Sequence, residues 1–124
     1  MNSKNLSILV VDDNFDICDV IKDWLEDEDF TVITSSSGNK AIRLLQKETF
    51  DVIISDVKMS DGTGIDLLKG IKDLKLHPKM IIMMTGFSDL TEEYFLSLGA
   101  THFYNKPLKL EEITDLIKSR LLYP

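Results

Sequence analysis

Short runs of apolar, β-branched residues alternate along this chain with longer stretches whose apolar residues recur every three or four positions. The short runs are Ser7 to Val11, Phe30 to Thr34, Val52 to Ser55, Met80 to Thr85 and Thr101 to Tyr104. Each has the length of a strand, and several are apolar at successive positions, as strands buried on both faces of a parallel sheet are. The longer stretches read as amphipathic helices. Phe15, Cys18, Ile21, Trp24 and Leu25 form the first apolar stripe, and Ala41, Ile42, Leu44 and Leu45 form the second, behind Gly38. A third runs through Ile65, Leu67, Leu68, Ile71 and Leu74, and a fourth through Leu90, Tyr94, Phe95 and Leu98 to a stop at Gly99. Leu110, Ile113, Leu116, Ile117 and Leu121 mark the fifth.

Strict alternation of strand and helix predicts an α/β fold: a (βα)5 doubly wound three-layer sandwich built on a five-stranded parallel sheet with right-handed crossovers. At 124 residues the chain fits one domain, with a core from about residue 5 to 122. No apolar run approaches the roughly 20 residues of a membrane-spanning helix. The opening residues Met1 to Asn5 lack the basic-then-apolar build of a secretory signal, so a cytoplasmic location without membrane insertion is expected. Cys18, the only cysteine, falls on the apolar stripe of the first helix and reads as a buried thiol.

Charge changes the picture in two ways. A net charge of -7 argues against a nucleic-acid surface, because duplex binding draws on Lys and Arg. The acid also crowds into one stretch, where Asp16, Asp19, Asp23, Glu26, Asp27, Glu28 and Asp29 read as the solvated face of the first helix. Asp12 and Asp13 stand apart, at the carboxyl end of the first strand, as Asp56 does at the end of the third. In a sheet ordered 2-1-3-4-5 those strands are neighbours, and sites form where the order reverses, so the three carboxylates should converge. Like charges this close repel. A divalent cation relieves the cost, and an oxygen-only cluster suits Mg²⁺, with Mn²⁺ as the alternative. Thr85 ends the fourth strand and Lys106 follows the fifth. A hydroxyl and an ammonium beside a metal-bound carboxylate are the donors a phosphoryl group needs on its oxygens. Asp56 is then a candidate nucleophile. A helix N-cap is the competing account of Asp12 and Asp13.

Val10-Val11-Asp12-Asp13-Asn14, Ile54-Ser55-Asp56-Val57-Lys58-Met59, Gly64, Met84-Thr85-Gly86, Gly99-Ala100 and Lys106-Pro107, in this order and spacing, resemble the receiver domains of two-component response regulators, of the chemotaxis-regulator type. The resemblance spans about Asn5 to Leu122 and implies the flavodoxin-like strand order. It also implies that Asp56 accepts the phosphoryl group, that Asp13 binds the metal directly, and that Asp12 holds metal-bound water. The backbone carbonyl of Lys58 would complete the coordination, Thr85 and Lys106 would each take a phosphoryl oxygen, and Thr85 and Phe103 would act as the switch. Lys106-Pro107 would be cis. The implied partners are a sensor histidine kinase or phosphotransfer protein and an output domain or protein bound through helix 4, strand 5 and helix 5, with a homodimer on phosphorylation. The role is that of a regulatory phosphoacceptor, not an enzyme acting on other substrates.

The sequence departs from the family pattern at Ser60, where proline is usual after Met59, and at Gly86, where alanine is commoner. A looser loop after Asp56 is the expectation. Lys58 and Phe87 take the variable positions facing the phosphoryl group. Asp61, in Ser60-Asp61-Gly62, reads as a turn former. Three alternatives compete with this reading. A flavodoxin-like cofactor binder would need glycines and hydroxyls where Asp12-Asp13 stand. A haloacid-dehalogenase-type phosphatase would need an aspartate at Lys58. The third is a receiver-like interaction module that works without phosphorylation.

Overall fold

The computed structural model describes residues 5–86 and 90–122. Its elements are β1 (Ser7–Val11), α1 (Phe15–Asp27), β2 (Thr31–Ser35), α2 (Gly38–Leu45), β3 (Val52–Asp56), α3 (Gly64–Asp73), β4 (Met80–Thr85), α4 (Glu92–Ser97), β5 (His102–Asn105) and α5 (Leu110–Ile117), which runs on into a wide turn over Lys118–Leu122. All strand pairs are parallel, in the order β2-β1-β3-β4-β5. The doubly wound expectation therefore holds. Three strands begin or end one residue later than their apolar runs do, because ladder pairing rather than side-chain character sets their ends.

Alternation along the strands divides the core in two. Ile8 and Val10 of β1, Val52 and Ile54 of β3, and Ile82 and Met84 of β4 face α1 and α5, meeting Cys18, Ile21, Leu25, Ile113 and Ile117. Leu9, Val11, Ile53, Ile81 and Met83 face the other way, onto Ala41, Leu45, Leu67, Leu68, Ile71 and Phe95. Burying each such large side chain contributes about 1.5–3 kcal/mol.

The first helical stripe needs correction. Phe15 is 71% and Trp24 40% exposed, and only Cys18, Ile21 and Leu25 of that stripe are buried. A straight helix turns about 100° per residue, so three residues at spacings of three and four fill the contact line and the flanking aromatics fall outside it. Trp24 is instead held at its edge, its Nε1 donating to Thr114 Oγ1 at 2.8 Å across α1 and α5. On α4 only Phe95 is buried, while Tyr94 and Leu96 stay exposed; Leu90, expected on this helix, lies ahead of its Thr91 cap and is exposed as well. Helix starts follow local chemistry. Asn14, Ser37, Thr63 and Thr91 each accept a backbone N–H of the first turn, and Thr63 with Asp66 forms a reciprocal capping box. Gly99, at φ +111, ends α4 in the left-handed region.

Candidate functional site

β1 and β3 are paired with Val11 opposite Ser55, so the residues that follow, Asp12 and Asp56, emerge side by side. Asp12 is pinned further by its N–H, which donates to Ser35 O of β2 at 3.1 Å. Carboxylate oxygens of Asp12, Asp13 and Asp56 all lie within 4.8 Å of one another. Asp12 is 1% and Asp56 7% exposed, and Asp13 faces solvent. Lys106 reaches in from the loop after β5, donating from Nζ to Asp56 Oδ2 at 2.9 Å and to Asp12 Oδ2 at 3.1 Å. Its own N–H donates to Thr85 O at 2.7 Å, which ties that loop to the end of β4, and the Lys106–Pro107 peptide is cis.

The second oxygen of Asp12 accepts Asn14 N–H at 2.9 Å. Burial pushes the Asp12 carboxyl up from its ordinary value, against the downward pull of the Asn14 N–H and of Lys106, and neighbouring Asp56 adds to the rise. Burial alone would pull Lys106 down. Its bonds to Asp56 and Asp12 outweigh that, and the ammonium is held above its usual range. The two directions do not conflict: each carboxylate favours the Lys106 cation, but one ammonium shared between two acids does not offset the desolvation of Asp12. Three carboxylates and one ammonium leave two negative charges uncompensated in the crevice. An all-oxygen donor set with that residual charge and an open side at Asp13 fits a hard divalent cation such as Mg²⁺.

The N-cap account of Asp12 and Asp13 fails, because Asn14 caps α1, its Oδ1 accepting Ile17 N–H at 3.1 Å. Thr85 lies buried at the end of β4, one residue beyond the Met84 that pairs with Asp56. Lys58 N–H points at Asp56 Oδ1, at 3.4 Å, and its side chain is exposed. Phe103, half-buried, stacks on Phe95 of α4 with ring centroids 5.0 Å apart. Phe87 lies outside the described residues. Cys18 is buried as expected. Its thiol donates to Asp12 O at 3.3 Å, and burial pushes its pKa up to about 11.

One cluster was not foreseen. Asp61 accepts Ser37 Oγ–H and Asn39 Nδ2–H, each at 3.0 Å, joining the loop after β3 to the start of α2. The separations of 24 and 22 residues leave no local signal, and the sequence marked Asp61 only as a turn former. At the other departure from the family pattern there is room, since a Cβ on Gly86 would meet nothing closer than Lys106 Cδ at 3.9 Å.

A doubly wound parallel sheet with an acidic crevice and a lysine at its carboxyl edge defines the class of receiver-like signalling domains. Residues 8–118 match the family described as the response regulator receiver domain, and the chain belongs to that family, as a receiver domain of a two-component response regulator. Among its relatives, the regulatory protein VanRc of Enterococcus gallinarum is 33% identical over 92% of this chain and 49% of its own length. Response regulator SaeR of Staphylococcus epidermidis is 32% identical over 86% of this chain and 46% of its own. The chain thus spans about half the length of these relatives. Of solved structures, the chemotaxis response regulator CheY4 of Vibrio cholerae is 30% identical with a TM-score of 0.82, covering 95% of this chain and all of that one. A CheY-like receiver domain protein from Methanospirillum hungatei superposes with a TM-score of 0.85 at 29% identity, over 95% and 94% of the two chains.

Proposed function

We propose that residues 5–122 act as a single phosphorylation-controlled switch in which Asp56 accepts a phosphoryl group from a sensor histidine kinase, a phosphotransfer protein or a small phosphodonor. The observation that carries this reading is the Asp56 carboxylate at the end of β3, bonded to Lys106 at 2.9 Å with two further carboxylates within 4.8 Å. Asp12, Asp13 and Asp56, with the backbone carbonyl of Lys58, would hold Mg²⁺, which when bound neutralises charge on the crevice and on the incoming phosphoryl group.

In the transfer, the bond from phosphorus to the donor atom, nitrogen in a phosphohistidine or the acyl oxygen in acetyl phosphate, breaks as a bond to an Asp56 oxygen forms, and the electron pair leaves with the donor atom. Asp56 loses charge at the oxygen that bonds phosphorus, and the phosphoryl group brings new acceptors. Lys106 moves from the carboxylate to a phosphoryl oxygen, and the Thr85 hydroxyl turns to donate to another. A groove of about 520 Å³ beside Lys106, lined by Ile17, Val20, Pro107 and Leu108, is a fitting seat for a donor helix.

Movement of Thr85 frees space toward Phe103, whose ring packs on Phe95 of α4. Exposed Leu90, Tyr94 and Leu96 lie on and beside α4. The face of α4, β5 and α5 is therefore the output surface, for an output domain, a protein partner or a second phosphorylated copy. The chain works in the cytoplasm as a regulator that assists only its own phosphorylation and dephosphorylation. Intact-mass measurement after treatment with acetyl phosphate and Mg²⁺ tests the reading: wild type gains one phosphoryl group and Asp56→Asn gains none. No gain in wild type would favour the interaction module that works without phosphorylation.

A further inference from the structure

The loop from Val57 to Thr63 carries the Lys58 carbonyl. It is closed at its base, where Val57 N–H donates to Met84 O at 3.0 Å and Gly64 N–H donates to Val57 O at 2.9 Å, and Met59 is buried within it. Its far end, lacking proline at Ser60, is fixed by α2. Gly38 N–H donates to Gly62 O at 2.9 Å and Asn39 N–H to Asp61 O at 3.0 Å, so the loop's carbonyls satisfy two of the N–H groups that a helix start leaves unpaired. The two backbones touch. A Cβ on Gly38 would lie 2.5 Å from Gly62 O, and one on Gly62, at φ +90, would lie 2.6 Å from Asn39 N. The Asp61 carboxylate completes the strap through Asn39 Nδ2 and Ser37 Oγ, whose hydrogen bonds, that of Asn39 first, hold its carboxyl below the ordinary carboxylate range.

We propose that Asp61 is a positioning residue whose bridge to Ser37 and Asn39 holds the loop so that the Lys58 carbonyl is set for a divalent cation in the crevice, and thereby sets the preference for Mg²⁺. The proposal rests on the phosphoacceptor reading. Its physical basis is that Mg²⁺ demands near-ideal octahedral geometry whereas Ca²⁺ tolerates flexible coordination, so loosening one ligand costs Mg²⁺ more. Removing a group that orients a ligand typically costs 10–100-fold in metal affinity.

Calorimetric titration of the full chain with Mg²⁺ and with Ca²⁺ tests it, on wild type, Asp61→Ala, Asp61→Asn, Asn39→Ala and the double variant, with Asp13→Ala as the control for the crevice. Asp61→Ala should bind Mg²⁺ about ten-fold more weakly, with a smaller loss for Ca²⁺. Asn39→Ala should show part of that loss and add nothing on top of Asp61→Ala. Asp61→Asn should stay near wild type, because its amide can donate to Ser37 Oγ and its carbonyl can accept from Asn39 Nδ2. Unchanged Mg²⁺ affinity in Asp61→Ala, equal losses for both metals, additive effects in the double variant, or an Asp61→Asn as weak as Asp61→Ala would each overturn the strap while leaving the crevice intact. A wild type that binds no Mg²⁺ would overturn the phosphoacceptor reading and the strap with it. If Asp61→Ala does not fold, Asn39→Ala, on an exposed residue of the other element, carries the test alone.

Discussion

Replacing Lys106 with methionine keeps the side-chain stem and removes the ammonium that bonds both Asp12 and Asp56. Asp12 would keep its bond from Asn14 N–H, and Asp56 the long contact from Lys58 N–H at 3.4 Å. Removing one partner of a buried ion pair costs about 3–5 kcal/mol. The Lys106 side chain is 23% exposed, so water softens the loss and the lower end applies, about 3 kcal/mol in EDTA. For a domain of this size that is a fall in melting temperature on the order of 10 °C. Mg²⁺ at about 100 times its dissociation constant adds roughly 2.7 kcal/mol to the wild type. It should add more to Lys106→Met, whose crevice carries one more uncompensated negative charge, so the gap between the proteins narrows in Mg²⁺. Thermal melts of both, each with EDTA and with Mg²⁺, measure the four values. Equal melting in EDTA, or a gap that Mg²⁺ leaves unchanged, would refute the electrostatic account of the crevice.

Asp13→Ala should raise the melting temperature in EDTA and abolish most of the Mg²⁺ effect, because Asp13 adds repulsion and caps nothing; Asn14→Ala should instead cost about 1 kcal/mol in either condition. Gly64→Ala should destabilise by about 1–3 kcal/mol in urea titrations, since its Cβ would lie 2.4 Å from Asp56 O and 2.9 Å from Val57 Cα, and should also lower the rate of phosphorylation by displacing Asp56. For pH, burial and then Arg120 hold His102 below its ordinary 6.5, against Glu92. The fold therefore favours the neutral ring, and wild-type stability should fall relative to His102→Gln as pH drops below 6.5, with the difference between them constant well above it; denaturant midpoints from pH 5 to 8 check the sign.

The order and type of the ten elements were legible in the chain because each depends on nearest neighbours: β-branched runs, apolar spacing of three and four, and a glycine stop such as Gly99. The same runs place Asp12, Asp13, Asp56, Thr85 and Lys106 at strand ends, so the candidate crevice follows from sequence once parallel pairing is assumed. What the sequence could not decide is how those groups share charge. Lys106 bridges Asp12 and Asp56 at separations of 94 and 50 residues, and no local pattern encodes a contact of that range. Amphipathic spacing likewise placed Phe15 and Trp24 in the core, since periodicity gives a face but not its width, and only Cys18, Ile21 and Leu25 of the five lie on the contact line. The Asp61 bridge to Ser37 and Asn39 belongs wholly to tertiary structure. Two loops from different crossovers meet only because β1 and β3 are adjacent, with glycines at 38 and 62 letting their backbones touch.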